Sequence, residues 1–255
     1  LEHLSHAAIS PDGDRLVLTI YGQVFVVPTG PGRLVEVTRR KDIRCRQAMF
    51  GPDGRHILTL SDASGEVEWW RYAADGMEEP EQLTDDGEVL RLRGTVSPDG
   101  RYLAYTDHDR QIWLHDLETG ENTLIDSAPH AGLEEASWSP DSRWLVYSKD
   151  AETSFGQIHL YSVERGETRP ITTDRYDSWS GRFDPKGEWL YFLSNRHFVS
   201  EVYGPWGSRQ PYPYFPDQTE IYMLPLQSDL RSPFREPDEL SVGNAAGTAD
   251  GGARN

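Results

Sequence analysis

Serine, histidine and aspartate side chains would be needed for hydrolytic chemistry, and the chain contains eight histidines. A catalytic triad requires a nucleophile, a base and an orienting acid that converge in space. The sequence lacks the glycine–x–serine–x–glycine elbow that presents a nucleophilic serine in many hydrolases. His115 and Asp116 are neighbours in a predicted strand, where successive side chains point to opposite faces. We therefore predict no catalytic residue in this chain.

Metal-ligating patterns are equally sparse. The sequence has no His-Glu-x-x-His motif, no Cys/His cluster and no EF-hand loop. Asp107 and Asp109 would supply half of a calcium loop, but carboxylates in a hairpin turn are the more common explanation of such spacing. Cys45 is the only cysteine, so the chain cannot form an internal disulfide. We expect no metal and no other cofactor.

The best candidate for ligand binding is an aromatic and proline-rich stretch over residues 196–218. A loop of this length in a compact β domain often has a function. Its aromatic side chains suit contacts with a peptide, and Arg209 suits a peptide carboxylate. The candidate binding residues are Tyr203, Trp206, Arg209, Tyr212 and Tyr214. The alternative is that these aromatic residues cover their own sheet or pack on a neighbouring domain.

These residues must be positioned by a repeated module, which is clearest over residues 94–119. Ser97-Pro98-Asp99-Gly100 has the residues of a tight turn, because proline presets φ and glycine accepts a positive φ. Apolar and alternating stretches on either side of the turn indicate short strands. Four antiparallel strands that become more polar along the chain are typical of a propeller blade.

Variants of this turn recur along the chain, with their prolines 41 to 46 residues apart. A four-stranded repeat of this length is the period of a β-propeller, whose blades must stack to bury their faces. In the fourth turn Ser142 stands where glycine is expected, which weakens the turn slightly. The turn prolines are Pro11, Pro52, Pro98, Pro140 and Pro185.

Composition fits a folded β protein and limits the partners. The chain is 36% hydrophobic and 11% aromatic, and a chain of 255 residues buries roughly three quarters of its unfolded surface. The net charge of −17 argues against nucleic acid, which needs a basic face. No apolar run is long enough to span a membrane. Most tryptophans lie in or beside predicted strands as blade-packing residues: Trp69, Trp70, Trp113, Trp138, Trp144 and Trp189.

The sequence predicts an all-β fold, a propeller of four-stranded antiparallel blades with about five blades present and the last one incomplete. The partial propeller covers residues 1–240. Residues 241–255 are rich in glycine and alanine without an apolar period, which predicts a disordered tail. Because closed rings commonly have more blades, we expect this chain to be the first part of a larger propeller. The predicted blades span residues 1–40, 41–86, 87–128, 129–174 and 175–226.

With these features in view, the chain resembles the tricorn protease family, especially its bacterial members. The resemblance runs in order from Leu1 to about Leu240. It rests most specifically on the proline-rich insertion and the late RSPF segment. The segments that carry it are LEHLSHAAISPDGDRLVLTIYGQVFVVP, QLTDDG, LAYTDHDRQIWLHDLETG, WLYFLSNRH, PWGSRQP and LRSPFREPDEL.

The resemblance implies a place in a long multidomain serine peptidase. In that family a six-bladed propeller precedes a seven-bladed one, and a PDZ-like domain and a peptidase core follow. This chain is similar to the opening five blades of the seven-bladed propeller, which the family uses as a passage or filter. The implied partners are peptides, downstream peptidase domains and further copies of the parent protein, in the cytoplasm. The family's catalytic serine and histidine lie in later domains, so none is carried over.

Two functions follow from the sequence as hypotheses. The first is a non-catalytic propeller segment of a tricorn-like serine peptidase that degrades oligopeptides. The second is a stand-alone propeller scaffold for protein–protein interaction, because propellers chiefly present loops to partners and fold alone does not fix function. Neither hypothesis involves nucleic acid or a membrane.

Overall fold

The computed structural model describes residues 3–128, 133, 136–201 and 214–236. Within these residues the chain forms nineteen strands and no helix. In chain order the strands are β1 (Leu4–Ile9), β2 (Arg15–Ile20), β3 (Gln23–Pro28), β4 (Val35–Glu36), β5 (Cys45–Phe50), β6 (His56–Ser61), β7 (Glu68–Ala73), β8 (Glu81–Gln82), β9 (Arg91–Val96), β10 (Tyr102–Asp107), β11 (Gln111–Asp116), β12 (Asn122–Ser127), β13 (Ser137–Trp138), β14 (Trp144–Asp150), β15 (Gly156–Ser162), β16 (Glu167–Pro170), β17 (Ser178–Phe183), β18 (Trp189–Asn195) and β19 (Thr219–Pro225).

The strands form five antiparallel sheets, each of which is a simple meander in chain order. Blades one to four have four strands each, β1–β4, β5–β8, β9–β12 and β13–β16. Blade five has three, β17–β19, and residues 226–236 add no fourth strand. The predicted all-β propeller with an incomplete last blade is confirmed. The predicted tail over 241–255 lies outside the described residues.

The outer strands β4 and β8 are only two residues long, because threonine hydroxyls take over their pairing. The backbone of Val37 donates to the carbonyl of Val24, and the Thr38 hydroxyl then accepts from the Val24 amide at 3.1 Å. Thr84 accepts from Trp69 in the same way at 2.9 Å. A side chain thus replaces the next carbonyl of the ladder and ends the strand while leaving the amide satisfied.

Each pair of adjacent blades shares one hydrophobic core. In the described residues there are four such clusters, joining blades one and two, two and three, three and four, and four and five. None joins blade five to blade one. Trp69, Trp138 and Trp189 are buried, as expected of blade-packing residues, and Trp70 and Trp113 border the cores. The blades therefore form an open arc held together by neighbouring contacts.

The repeated turns are closed by the same hydrogen bonds in several blades. In blade three the Ser97 hydroxyl donates to Asp99 at 2.5 Å and accepts from the Tyr102 amide at 2.9 Å. The amide of Gly100 donates to the Ser97 carbonyl, and Gly100 has a φ of 78°. A positive φ of this kind is what glycine allows at little cost.

Ser142 adopts the glycine conformation, with a φ of 60°, and gives the turn a second function. Its amide donates to the Ser139 carbonyl at 3.0 Å, so the turn closes as in the other blades. Its hydroxyl accepts from the amide of Asp99 at 3.0 Å, in the turn of blade three. The serine that weakens its own turn therefore ties two blades together.

We expect Ser142→Ala to lower the free energy of unfolding by about 1 kcal/mol, because the interblade hydrogen bond is lost and the left-handed strain remains. Ser142→Gly should stay within about 0.5 kcal/mol of the wild type, since relief of strain offsets the lost bond. Urea unfolding of the three proteins measures the difference. A glycine variant less stable than the alanine variant would contradict this account.

Candidate functional site and comparisons

The propeller has two ends that differ in their loops. The repeated Ser-Pro-Asp-Gly turns join the first and second strands of each blade and share one end. The turns between second and third strands lie at the other, including Tyr21-Gly22 in blade one and the long insertion between β18 and β19. We call this second end the insertion end. The predicted binding loop lies there.

The insertion begins as an extension of the β18–β19 hairpin. Asn195 pairs with Thr219, and the amide of Glu201 donates to the carbonyl of Tyr214 at 2.8 Å. Of the predicted binding residues only Tyr214 is described, in this stem, with 38% of its surface exposed. Tyr203, Trp206, Arg209 and Tyr212 lie outside the described residues, and their role stays a prediction.

Beneath the stem lies an arginine surrounded by aromatic rings. The Arg196 guanidinium lies 4.6 Å from the ring centroid of Tyr222, 5.3 Å from Tyr176 and 5.5 Å from Phe192. Its Nε donates to the Ser194 hydroxyl at 2.9 Å. Cation–π contacts of this kind contribute about 0.5–2 kcal/mol each, depending on solvation. They fix the base of the insertion on blade five.

Aromatic surface continues from this cluster into solvent. Phe198 stacks on Tyr176 with centroids 6.3 Å apart and meets Phe215 edge-on at 5.9 Å. Phe198 is 56% exposed although it is one of the largest apolar side chains in the stem. At the edge of these rings His197 contacts Glu220 at 3.5 Å. Exposed aromatic rings with such a polar rim are typical of a surface that binds a partner.

The first strand of each blade lies against the first strand of a neighbour, as shown by β1 with β5, β9 with β13 and β13 with β17. These strands therefore line the axis of the arc. β-Bulges interrupt β5 and β17 at equivalent places, where Gln47 and Ser180 have φ values of 51° and 55°. Bulges often re-aim side chains next to functional sites.

The polar residues considered for catalysis or metal binding have structural partners instead. The ring of His115 is buried and contacts the Asn122 side chain at 2.9 Å, and burial lowers the pKa of His115. Asp107 accepts from the indole nitrogen of Trp113 at 2.8 Å and from the Gln111 amide at 2.9 Å. Asp107 is thus an acceptor within its hairpin turn.

The described residues contain no candidate metal centre and no membrane-spanning helix. No group of three or more histidine, cysteine or acidic side chains in this part of the chain could hold a metal ion. The same residues include no helix long and apolar enough to cross a bilayer.

Several curated relatives of this chain carry the tricorn name. A tricorn protease homolog from Saccharolobus solfataricus is 26% identical over 77% of this chain and 18% of its own length. The tricorn protease of Thermoplasma volcanium is 25% identical over 91% of this chain and 22% of its own length. The chain thus spans about a fifth of the length of the curated relatives it matches.

Fold and family comparisons agree with these relatives. The crystal structure of the tricorn protease superposes with a TM-score of 0.78 at 19% identity, covering 100% of this chain and 24% of that one. The family model of the tricorn protease second beta propeller domain matches residues 4–250. This match confirms the resemblance seen in the sequence, and the chain belongs to the family of tricorn protease second beta propeller domains.

Proposed function

We propose that this chain is a non-catalytic propeller segment of a tricorn-like serine peptidase, in which it serves as a passage or filter for oligopeptides. The observation that carries the proposal is the family match over residues 4–250. The sequence contains no nucleophile elbow, and the buried His115 and the turn carboxylate of Asp107 have structural partners. Hydrolysis would then belong to other domains of the parent protein.

Two features of the structure support peptide handling. The first strands line an axial space, and bulges in β5 and β17 change the direction of the chain there. The insertion end presents exposed aromatic rings beside the hairpin stem, with Tyr214 at its edge. Aromatic side chains give large contact areas at a low entropic cost, which suits ligands of varied sequence.

The family resemblance supports the remaining parts of the proposal. The partners are peptides and the downstream peptidase domains of the same protein, and the parent protein assembles as a homo-oligomer in the cytoplasm. Tyr203, Trp206, Arg209 and Tyr212 are proposed to contact peptides at the insertion end together with Tyr214.

Photocrosslinking tests the proposal directly. A tetrapeptide with a photoactivatable phenylalanine should label residues of the first strands or the insertion stem and should be recovered intact. The matched control is the same peptide with the photoactivatable group omitted. Cleavage by the pure chain that a serine-peptidase inhibitor abolishes, or labelling confined to the outer strands β4, β8, β12 and β16, would contradict the proposal.

A further inference from the structure

A strongly basic segment interrupts this acidic chain between blades one and two. The net charge of the whole chain is −17, yet residues 39–46 read RRKDIRCR, with a single acidic residue. That residue, Asp42, pairs with Arg40 at 2.6 Å. Within the described residues, the remaining cations have no carboxylate at ion-pair distance: Arg39, Lys41, Arg44 and Arg46. Their charge is available to a ligand.

Two of these arginines line a cleft of about 520 Å³ at the insertion end. The other walls come from the start of β1 and from the turn between β2 and β3, including His3 and Tyr21. A volume of this size is within the range of small-ligand sites. Because β1 and β5 are first strands, the cleft lies between blades one and two beside the axial space.

The walls of the cleft are held in conformations that cost free energy. Tyr21 has a φ of 51° and stacks on His3 with ring centroids 3.9 Å apart, although Tyr21 is 70% exposed. Gln47, next to Arg46, has a φ of 51° in the bulge of β5. Left-handed non-glycine residues cluster at ligand sites, where the surrounding structure maintains the strain.

The absence of a side chain at Gly22 lets the aliphatic part of the Arg44 side chain lie close to the Tyr21–His3 pair. A Cβ atom at Gly22 would lie 2.8 Å from Cγ of Arg44, so a side chain there would displace Arg44. The Asp62 carboxylate accepts from the backbone amide of Arg44 at 2.6 Å. That contact orders the backbone of the segment and leaves the guanidinium unpaired.

We propose that this cleft binds a carboxylate of a peptide ligand through Arg44 and Arg46, with the Tyr21–His3 stack as the adjoining aromatic wall. The inference rests on the proposed function, because it identifies which peptides the propeller segment selects. A guanidinium matches a carboxylate in geometry and binds it through two parallel hydrogen bonds. A cleft lined by positive charges raises the local concentration of anionic ligands.

Fluorescence anisotropy of labelled tetrapeptides with the full chain tests the site. A peptide containing glutamates and a free C-terminus should bind, and binding should weaken as salt is raised. The double variant Arg44→Gln/Arg46→Gln should bind it about tenfold or more weakly, because charge-assisted hydrogen bonds are lost. The matched control is Arg169→Gln, which removes an exposed arginine of β16 that pairs with Glu167 at 3.0 Å.

The outcomes separate this site from the wider proposal. Equal affinity of wild type and double variant, with both folded by circular dichroism, would overturn the site while peptide handling stands. Absence of binding by peptides of every charge would overturn both. If a glutamate-free peptide binds with a free C-terminus and not with an amidated one, the site recognises the terminal carboxylate. If the glutamate-containing peptide still binds after its C-terminus is amidated, the site recognises side-chain carboxylates.

Discussion

Replacing Glu68 by leucine should lower the free energy of unfolding by about 3–5 kcal/mol, the cost of breaking a buried ion pair from one side. Glu68 and Arg91 are 1% and 3% exposed, and their charged groups lie 2.7 Å apart. The Glu68 carboxylate also accepts from the Gly87 amide at 2.7 Å and from the Thr84 hydroxyl. The variant would leave Arg91 buried between blades two and three with only the half-exposed Asp86 as a counter-charge.

A double variant distinguishes a broken pair from a general loss of packing. Arg91 also contacts Asp86 at 2.5 Å and lies over the ring of Tyr105 at 5.6 Å. Glu68→Leu/Arg91→Met should therefore be more stable than Glu68→Leu, because it removes the buried guanidinium that has lost its buried partner. Urea unfolding supplies the four values of the cycle. The control Glu164→Gln breaks an exposed pair with Arg143 and should change little. A loss of unfolding free energy in the double variant equal to the sum of the two single losses would contradict this prediction.

Acidification from pH 7.5 to pH 5 should lower the stability of the chain by about 2 kcal/mol through His159. Burial lowers the pKa of His159 to about 4, and the charge of Lys149 acts in the same direction. Asp126 opposes this effect, but it is paired with Lys149 at 2.6 Å. The unfolded histidine, with a pKa near 6.5, takes up a proton first. The stability contribution is thus complete above pH 6.5 and falls as the pH approaches 4.

The geometry explains why the protonated form is disfavoured. His159 is 6% exposed, and neither ring nitrogen has a hydrogen-bond partner among the described residues. Its ring lies parallel to that of Tyr147, with centroids 5.6 Å apart. The Tyr147 hydroxyl donates to Asp126 at 2.6 Å and is not available to the imidazole. A proton on His159 would add a charge without a partner.

His159→Phe isolates this contribution. The phenyl ring should keep the stack on Tyr147, remove two unsatisfied polar atoms and raise stability at pH 7.5 by about 1 kcal/mol. Its urea midpoint should then be nearly equal at pH 7.5 and pH 5. His108→Gln, at an exposed turn position, should retain the pH dependence of the wild type. Full pH dependence in the phenylalanine variant would assign the effect to another group.

The fold could be predicted because its signals are local. A proline, an aspartate and a glycine within four residues determine a turn without help from the rest of the chain. Repetition of that turn, as at Ser97–Gly100, then determines the strand period and the number of blades. The hydrophobic–threonine pair that ends outer strands, as at Leu83-Thr84, is also local and could have predicted their true length.

The contacts that matter most for stability and for the candidate sites are not local. Glu68 lies in a strand sequence that reads as partly polar, and only packing of blade two on blade three buries it against Arg91. The rings around Arg196 come from residues as far apart as Tyr176 and Tyr222. Such juxtapositions depend on strand register and blade rotation, which the pattern of one sequence does not contain.

Nearest-neighbour cores give the chain an uneven resistance to unfolding. Among the described residues, blades one and five each share one core, whereas blades two, three and four each share two. Stability in such an array is the sum of unit terms and junction terms, so the ends open at the smallest cost. Loss of blade one leaves three junctions in place. Loss of blade three, by contrast, divides the array into two pairs of blades with one junction each. A single defect in the middle blade therefore destabilises every other blade of the chain.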